Sequence, residues 1–301
     1  MQRGETSDDR RWTRWSLRSL TSVLLAAAVF AGACGGEDDR QEGLRVVTSL
    51  EVFADMVRNV AGDRADVSAL LPAGADPHTF ELTPGRVAEV ARADIAFVNG
   101  LGLEGNVQDV IEENAGGPVV ELTQGLDTID GNPHLWLDVS KARRYVERIR
   151  DALSELNPAG RAGYEANARA YLQELAALDV EVETAVNSIP PDNRKLVTLH
   201  DAFPYLAGRY GLEVVAVVAP SPGQEPSARR LAELTETLRS ESVPTVFKEP
   251  QFNANVLELA AEDTGVRVLN LLSDAFVDDV NSYVELMRFN ARQLQEGLGG
   301  D

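Results

Sequence analysis

From Leu44 onward, apolar runs of strand length alternate with stretches of helical periodicity. LRVVTSL leads into the helix EVFADMVRNVAG, and ADVSALL precedes a segment that carries His78. TPGRVAEVARA then opens with Thr83 as the expected N-cap and Pro84 at the first helical position. IAFVNG, a helix around NVQDVIEENAG and the run PVVELT complete this block. A second block repeats the pattern: KLVTLH before AFPYLAGRYG, EVVAVVAP before SARRLAELTETLRSES, TVFKEP before NANVLELAAEDTG, and RVLNLL before SYVELMRFNARQLQEGL. Strands alternating with helices predict βαβ units, hence an α/β protein with a mostly parallel, helix-flanked sheet in each block.

Between the blocks the pattern is helical throughout. VSKARRYVERIRDALSELN stops at Asn157-Pro158, and the next stretch keeps helical spacing as far as Pro190-Pro191. A helix of about 30 residues would be roughly 45 Å long. No Gly/Ser-rich linker interrupts it, so the expected organisation is a lobe over 44–157, a stiff connecting helix over 158–190 and a second lobe over 191–301.

The region before Leu44 reads differently. Arg3, Arg10, Arg11, Arg14 and Arg18 precede an apolar run from Leu20 to Ala33, which falls short of the roughly 20 residues that span a bilayer. Ala31, Gly32 and Ala33 before Cys34 resemble a bacterial lipoprotein cleavage box, with Ala31 where leucine is usual. The expectation is a signal peptide over 1–33, lipid attachment at Cys34 and a polar tether over 34–43. That places the protein outside the cytoplasmic membrane, held to its outer face. Cys34 is the one cysteine, which rules out an intramolecular disulfide and a thiolate metal cage. With 28 basic against 48 acidic residues, the net charge of −20 disfavours nucleic acid, whose binding rests on basic phosphate contacts. It attracts cations weakly and without selectivity, and otherwise serves solubility.

The chain has three histidines, His78, His134 and His200, each between a predicted strand and the helix that follows. Imidazole is the commonest metal ligand at neutral pH, and open α/β sheets collect ligands at the carboxyl ends of their strands. No HExxH or CxxC spacing fixes a site locally, so each histidine taken singly reads first as a hydrogen-bonded structural residue. Glu249 ends TVFKEP and Asp274 follows RVLNLL. Parallel sheets send their strand ends to one edge, so His200, Glu249 and Asp274 are expected to converge on one lobe, facing His78 and His134 on the other. Three neutral imidazoles and a carboxylate suit zinc in near-tetrahedral geometry, and could also hold manganese or iron.

PAGADPHTFELTP, NPHLWLDV, LVTLHDAFPYLAGRYGL, FKEPQFN and LLSDAF before SYVELMRFN resemble, in order, the cluster A-I metal-binding lipoproteins of bacterial ABC importers. These are solute-binding proteins for zinc and manganese, and the likeness runs from about Leu44 to Leu298. It implies a periplasmic-binding-protein-like fold of two lobes joined by one long rigid helix, with the metal as transported cargo between them. It implies ligand roles for His78, His134, His200 and Asp274, and a supporting role behind them for Glu249. The implied partners are a permease and its ATPase, with the binding protein a monomer. Two features depart from the zinc-type pattern: TQGLDTIDGN, ahead of His134, is short and has no histidines, and the lone cysteine cannot form the internal disulfide such members often have; the segment after Asp274 is also shorter than usual. Asp278 or Asp279 could therefore replace Asp274. The competing readings are a zinc hydrolase with Glu249 as general base and a surface adhesin. A rigid connecting helix predicts release through loop movement near His134 or Asp274.

Overall fold

The computed structural model describes residues 43–219, 227–277 and 279–299. The expected signal peptide, Cys34 and all but the last residue of the tether lie outside these residues, as does Asp278.

The first block is a four-stranded sheet built from β1 (Leu44–Thr48), β2 (Ala65–Ala69), β3 (Ile95–Val98) and β4 (Val119–Glu121), in the order β2-β1-β3-β4. All pairs are parallel; Val46 stands opposite Val67 on one side and Ile95 on the other. The central strands β1 and β3 are covered on both faces, which is why IAFV is buried at every position instead of alternating. Helices α1 (Glu51–Ala61), α2 (Pro84–Arg92) and α3 (Asn106–Asn114) make the crossovers. Pro84 does open α2, and Thr83 is extended at the cap position, but its hydroxyl makes no capping bond.

The second block has the same topology. β5 (Lys195–His200), β6 (Glu213–Ala219), β7 (Thr245–Lys248) and β8 (Arg267–Asn270) pair in parallel in the order β6-β5-β7-β8. Between them come α4 (Val139–Leu156) and α5 (Arg161–Asn187) from the connection, then α6 (Pro204–Tyr210), α7 (Ala228–Ser240), α8 (Asn255–Thr264) and the closing α9 (Tyr283–Leu298). Asp138 caps α4 by accepting from the Ser140 amide, and Ser227 and Ser282 cap α7 and α9 in the same way.

The connecting helix α5 has 27 residues, a rod of about 40 Å. It is shorter than the pattern 158–190 because its entry, Pro158–Gly160, is wound as a 3₁₀ turn and its end stops ahead of Pro190. Leu175, Leu178 and Val182 give it a buried face against its neighbours, while Val180 points out. One hydrophobic core runs from Val46 and Phe53 through Tyr145, Leu178 and Phe203 to Met287 and Leu294. A smaller cluster, including Val197, Leu234 and Leu257, fills the other side of the second sheet. Both sheets thus share packing with the same helices, which makes the connection stiff. No helix among the described residues is long and apolar enough to cross a membrane.

Candidate metal centre

In each sheet the chain order reverses beside its first strand, between β1 and β3 and between β5 and β7, which is where such folds open a crevice. The two crevices are filled differently. In the first sheet Glu104, fully buried, accepts from Ser49 Oγ at 2.7 Å and from the Asn99 and Gly100 amides at 2.5 and 3.2 Å. The protein plugs that crevice with its own carboxylate. In the second sheet His200 ends β5 and Glu249 follows β7, so the two meet across the reversal, His200 Nδ1 to Glu249 Oε2 at 2.5 Å.

His78 and His134 reach the same place on loops. His78 lies in the turn between β2 and α2, where its amide donates to Asp76 Oδ1 at 2.9 Å. His134 lies between β4 and α4, just before a 3₁₀ turn at Leu135–Leu137. Of the three, His200 alone sits on a strand; the others are delivered by loops, which the strand-end argument did not distinguish.

The three imidazoles each offer a ring nitrogen within 4.8 Å of the others. Their ring centroids are 5.1 to 5.9 Å apart, and His134 and His200 are 2% exposed while His78 is half-buried. His134 Nε2 and His200 Nε2 face each other at 3.3 Å. Behind them the Nδ1 atoms are occupied: His134 Nδ1 donates to Asn132 Oδ1 at 3.0 Å, and His200 Nδ1 is held by Glu249. That arrangement fixes the tautomers so that both Nε2 lone pairs point inward. His78 Nε2 is buried with no hydrogen-bond partner.

Electrostatics follow from the burial. Desolvation, with the charge of His200 next, pushes His134 well below the ordinary imidazole range, and the same two causes lower His78. Burial also pushes His200 down, but the Glu249 charge and hydrogen bond outweigh it and hold that imidazole above its ordinary value. Asp274 is 4% exposed, and burial, with the neighbouring Glu249 charge, raises its carboxyl to about 7. Its Oδ1 accepts from Gln251 Nε2 at 2.7 Å while its Oδ2 is buried and unpartnered. Asp274 falls outside the 4.8 Å histidine group, as does the exposed Asp279.

Glu249 has no free oxygen to act as a base. Its Oε1 accepts from Ser273 Oγ at 2.5 Å and its Oε2 binds His200, so the carboxylate orients an imidazole instead of facing a water. The hydrolase reading loses its general base on this geometry. Three residues unassigned by sequence also shape the site. Asn132 bridges His134 to the second lobe, donating from Nδ2 to the Asp201 carbonyl at 2.6 Å. Gln251 holds Asp274, and Trp136 donates from its indole to the Ser273 carbonyl. Their signal was a place in or beside NPH and KEP, but such a place does not show which partner lies across the cleft.

Two parallel sheets bound to one long helix, with two loop imidazoles of the first block meeting one at a strand end of the second, define a two-lobed binding protein of the helix-linked kind. The family described as zinc-uptake complex component A, periplasmic, matches residues 46–297, and the chain belongs to it. It is 32% identical to the manganese-binding lipoprotein MntA of Halalkalibacterium halodurans, over 92% of this chain and 97% of that protein. It is similar in structure to the periplasmic zinc-binding protein TroA of Treponema pallidum, with 28% identity and a TM-score of 0.78, covering 86% of this chain and all of that one. The manganese-bound periplasmic metal-binding protein of Candidatus Liberibacter asiaticus is 25% identical with a TM-score of 0.76, over 85% of this chain and 99% of its own.

Proposed function

We propose that the protein captures a divalent transition metal, zinc foremost, and delivers it to the permease of an ABC importer. His78, His134 and His200 supply three Nε2 ligands in this reading, and Asp274 supplies an oxygen after turning from Gln251. The observation that carries it is the meeting of His134 Nε2 and His200 Nε2 at 3.3 Å with both Nδ1 atoms occupied behind them. Two inward lone pairs at that distance repel unless a cation lies between them: a proton shared by the pair, or a metal that replaces it. The unpartnered Nε2 of His78 and Oδ2 of Asp274 supply the further electron pairs that a metal needs and a lone proton does not. A shell of four protein ligands leaves no open position for a reactive water, which suits holding a metal more than using it.

Zinc is favoured because a nitrogen-rich donor set suits a borderline metal better than manganese, which prefers oxygen. Manganese is the second reading, supported by the manganese-binding names of MntA of Halalkalibacterium halodurans and of ScaA of Streptococcus gordonii, 29% identical. Both relatives carry the name lipoprotein, which supports export and a lipid on Cys34, with a monomer tethered beside its permease and ATPase. Competitive titration of zinc against manganese tests the assignment. The expected result is one ion per chain, zinc displacing manganese, and loss of both on His200→Ala. Full affinity in His200→Ala would contradict the ligand set, and preferential retention of manganese would move the cargo to the second reading.

A further inference from the structure

The chain beyond His134 enters its 3₁₀ turn with Trp136 at the centre, fully buried. The indole stacks edge-on against Phe53 at 5.2 Å and lies 5.3 Å from the His134 ring. Its Nε1–H donates across the cleft to the carbonyl of Ser273 at 2.7 Å, on the residue that precedes Asp274. Its own carbonyl accepts from Tyr283 Oη at 2.6 Å, at the start of α9. Ser273 Oγ in turn donates to Glu249 Oε1, whose other oxygen holds His200 Nδ1. Hydrogen bonds therefore run from Trp136 through Ser273 and Glu249 to His200, with the His134 ring packed against the indole at one end and Asp274 next in the chain after Ser273, and the indole is the step that crosses from the first lobe to the second.

A tryptophan could fill this space as core alone, since a large ring between Phe53 and His134 needs no further reason. Its N–H is what goes beyond packing. A buried indole N–H has a single donor and no alternative acceptor of its own, so the position of the Ser273 carbonyl is tied to that of the ring. The carboxylate one residue further on has the opposite character: Oδ2 is unpartnered and Oδ1 is held by one glutamine. Gln251 holds the carboxylate on one side, and the backbone just ahead of Asp274 is held by Trp136.

We propose that Trp136 is a positioning residue that couples the placement of Asp274 to that of His134 across the two lobes. This rests on the metal-capture reading above and adds the device by which the fourth ligand is brought to the three imidazoles. Withdrawal of the Asp274 loop breaks the Trp136–Ser273 bond, so opening of the shell on that side is felt at His134.

The test is a set of zinc affinities on the full chain. Trp136→Phe keeps an aromatic ring against Phe53 and His134 and removes the donor. Its affinity is expected to fall about tenfold or more, the scale of a lost outer contact to a metal ligand. In an Asp274→Asn background the same change is expected to cost less than threefold, because no carboxylate is left to place; in a His78→Ala background the full loss persists. Unchanged affinity in Trp136→Phe, or a full additional loss in the Asp274→Asn background, overturns the proposal. Should Trp136→Phe not fold, indole N–H exchange is read in a Trp12→Phe, Trp15→Phe chain, where Trp136 is the remaining tryptophan. Zinc is expected to slow that exchange, and Asp274→Asn to abolish the slowing; exchange indifferent to zinc overturns the proposal. Zinc binding that is lost in His200→Ala but untouched by Trp136→Phe removes the role of Trp136 and leaves the metal site. Absence of zinc binding by the unsubstituted chain removes both.

Discussion

His134 and His200 face each other through Nε2 because Asn132 and Glu249 hold their other ring nitrogens. Removing either partner frees the ring to rotate or change tautomer. Asn132→Ala and Glu249→Gln are each expected to weaken zinc binding about 10- to 100-fold, as loss of such supports does elsewhere, measured by chelator competition. The titration of Asp274 gives a second prediction. Its carboxyl is raised from 3.8 to about 7 by burial and the Glu249 charge. Stability of the metal-free protein from this neutral acid is present below the unfolded value and is lost as pH rises through about 7. Asp274→Asn, which cannot ionise, is therefore expected to raise the metal-free Tm at pH 8 and leave it nearly unchanged at pH 4. Metal affinity runs the other way: it falls as pH drops below about 7, where Asp274 takes up a proton that the metal must displace, and His200, held above its ordinary value by Glu249, adds to that competition. The gathering of the three histidines, with Glu249 behind His200, was legible in the sequence because few other residue types suit a metal. Asn132, Trp136 and Gln251 were not, since each acts through a carbonyl or carboxylate on a distant part of the chain.

Among the elements, the strands and crossovers were read from apolar runs because both sheets are covered on two faces, which leaves continuous hydrophobic segments such as IAFV. Ends were read less well. Thr83 stands at a cap position without making the capping bond, and α5 begins after a 3₁₀ turn that periodicity cannot separate from a helix. The strand ends also gave only part of the site: β5 carries His200, whereas His78 and His134 depend on loop conformations that no periodicity encodes. Asp130 and Gly131 illustrate this, both with positive φ just before Asn132. At this scale α5 is the element to test. Leu178 is fully buried on its inner face, within the core shared by both sheets. Leu178→Ala is expected to cost about 2–5 kcal/mol in urea denaturation, by lost burial and the cavity left behind.

Over the whole molecule, one core joins the two sheets through α5 and α9, so the lobes are built to move little. Trp136, Tyr205 and Asn132 tie the site loops across the cleft with hydrogen bonds that local rearrangement could break one at a time. The expected change in radius of gyration between metal-free and zinc-loaded protein in solution scattering is correspondingly small. A change of several ångströms would show that the connecting helix bends or unwinds. Acidity of the surface, with a net charge of −20, adds a diffuse attraction for cations but no selectivity, which stays with the imidazoles. Whether those imidazoles jointly hold the metal is read by anomalous diffraction at the zinc edge from crystals of the zinc-loaded protein. One strong peak is expected about 2.0–2.1 Å from Nε2 of His78, His134 and His200, with an Asp274 oxygen completing the shell; a peak elsewhere, or none between the three rings, would show that they do not hold it together.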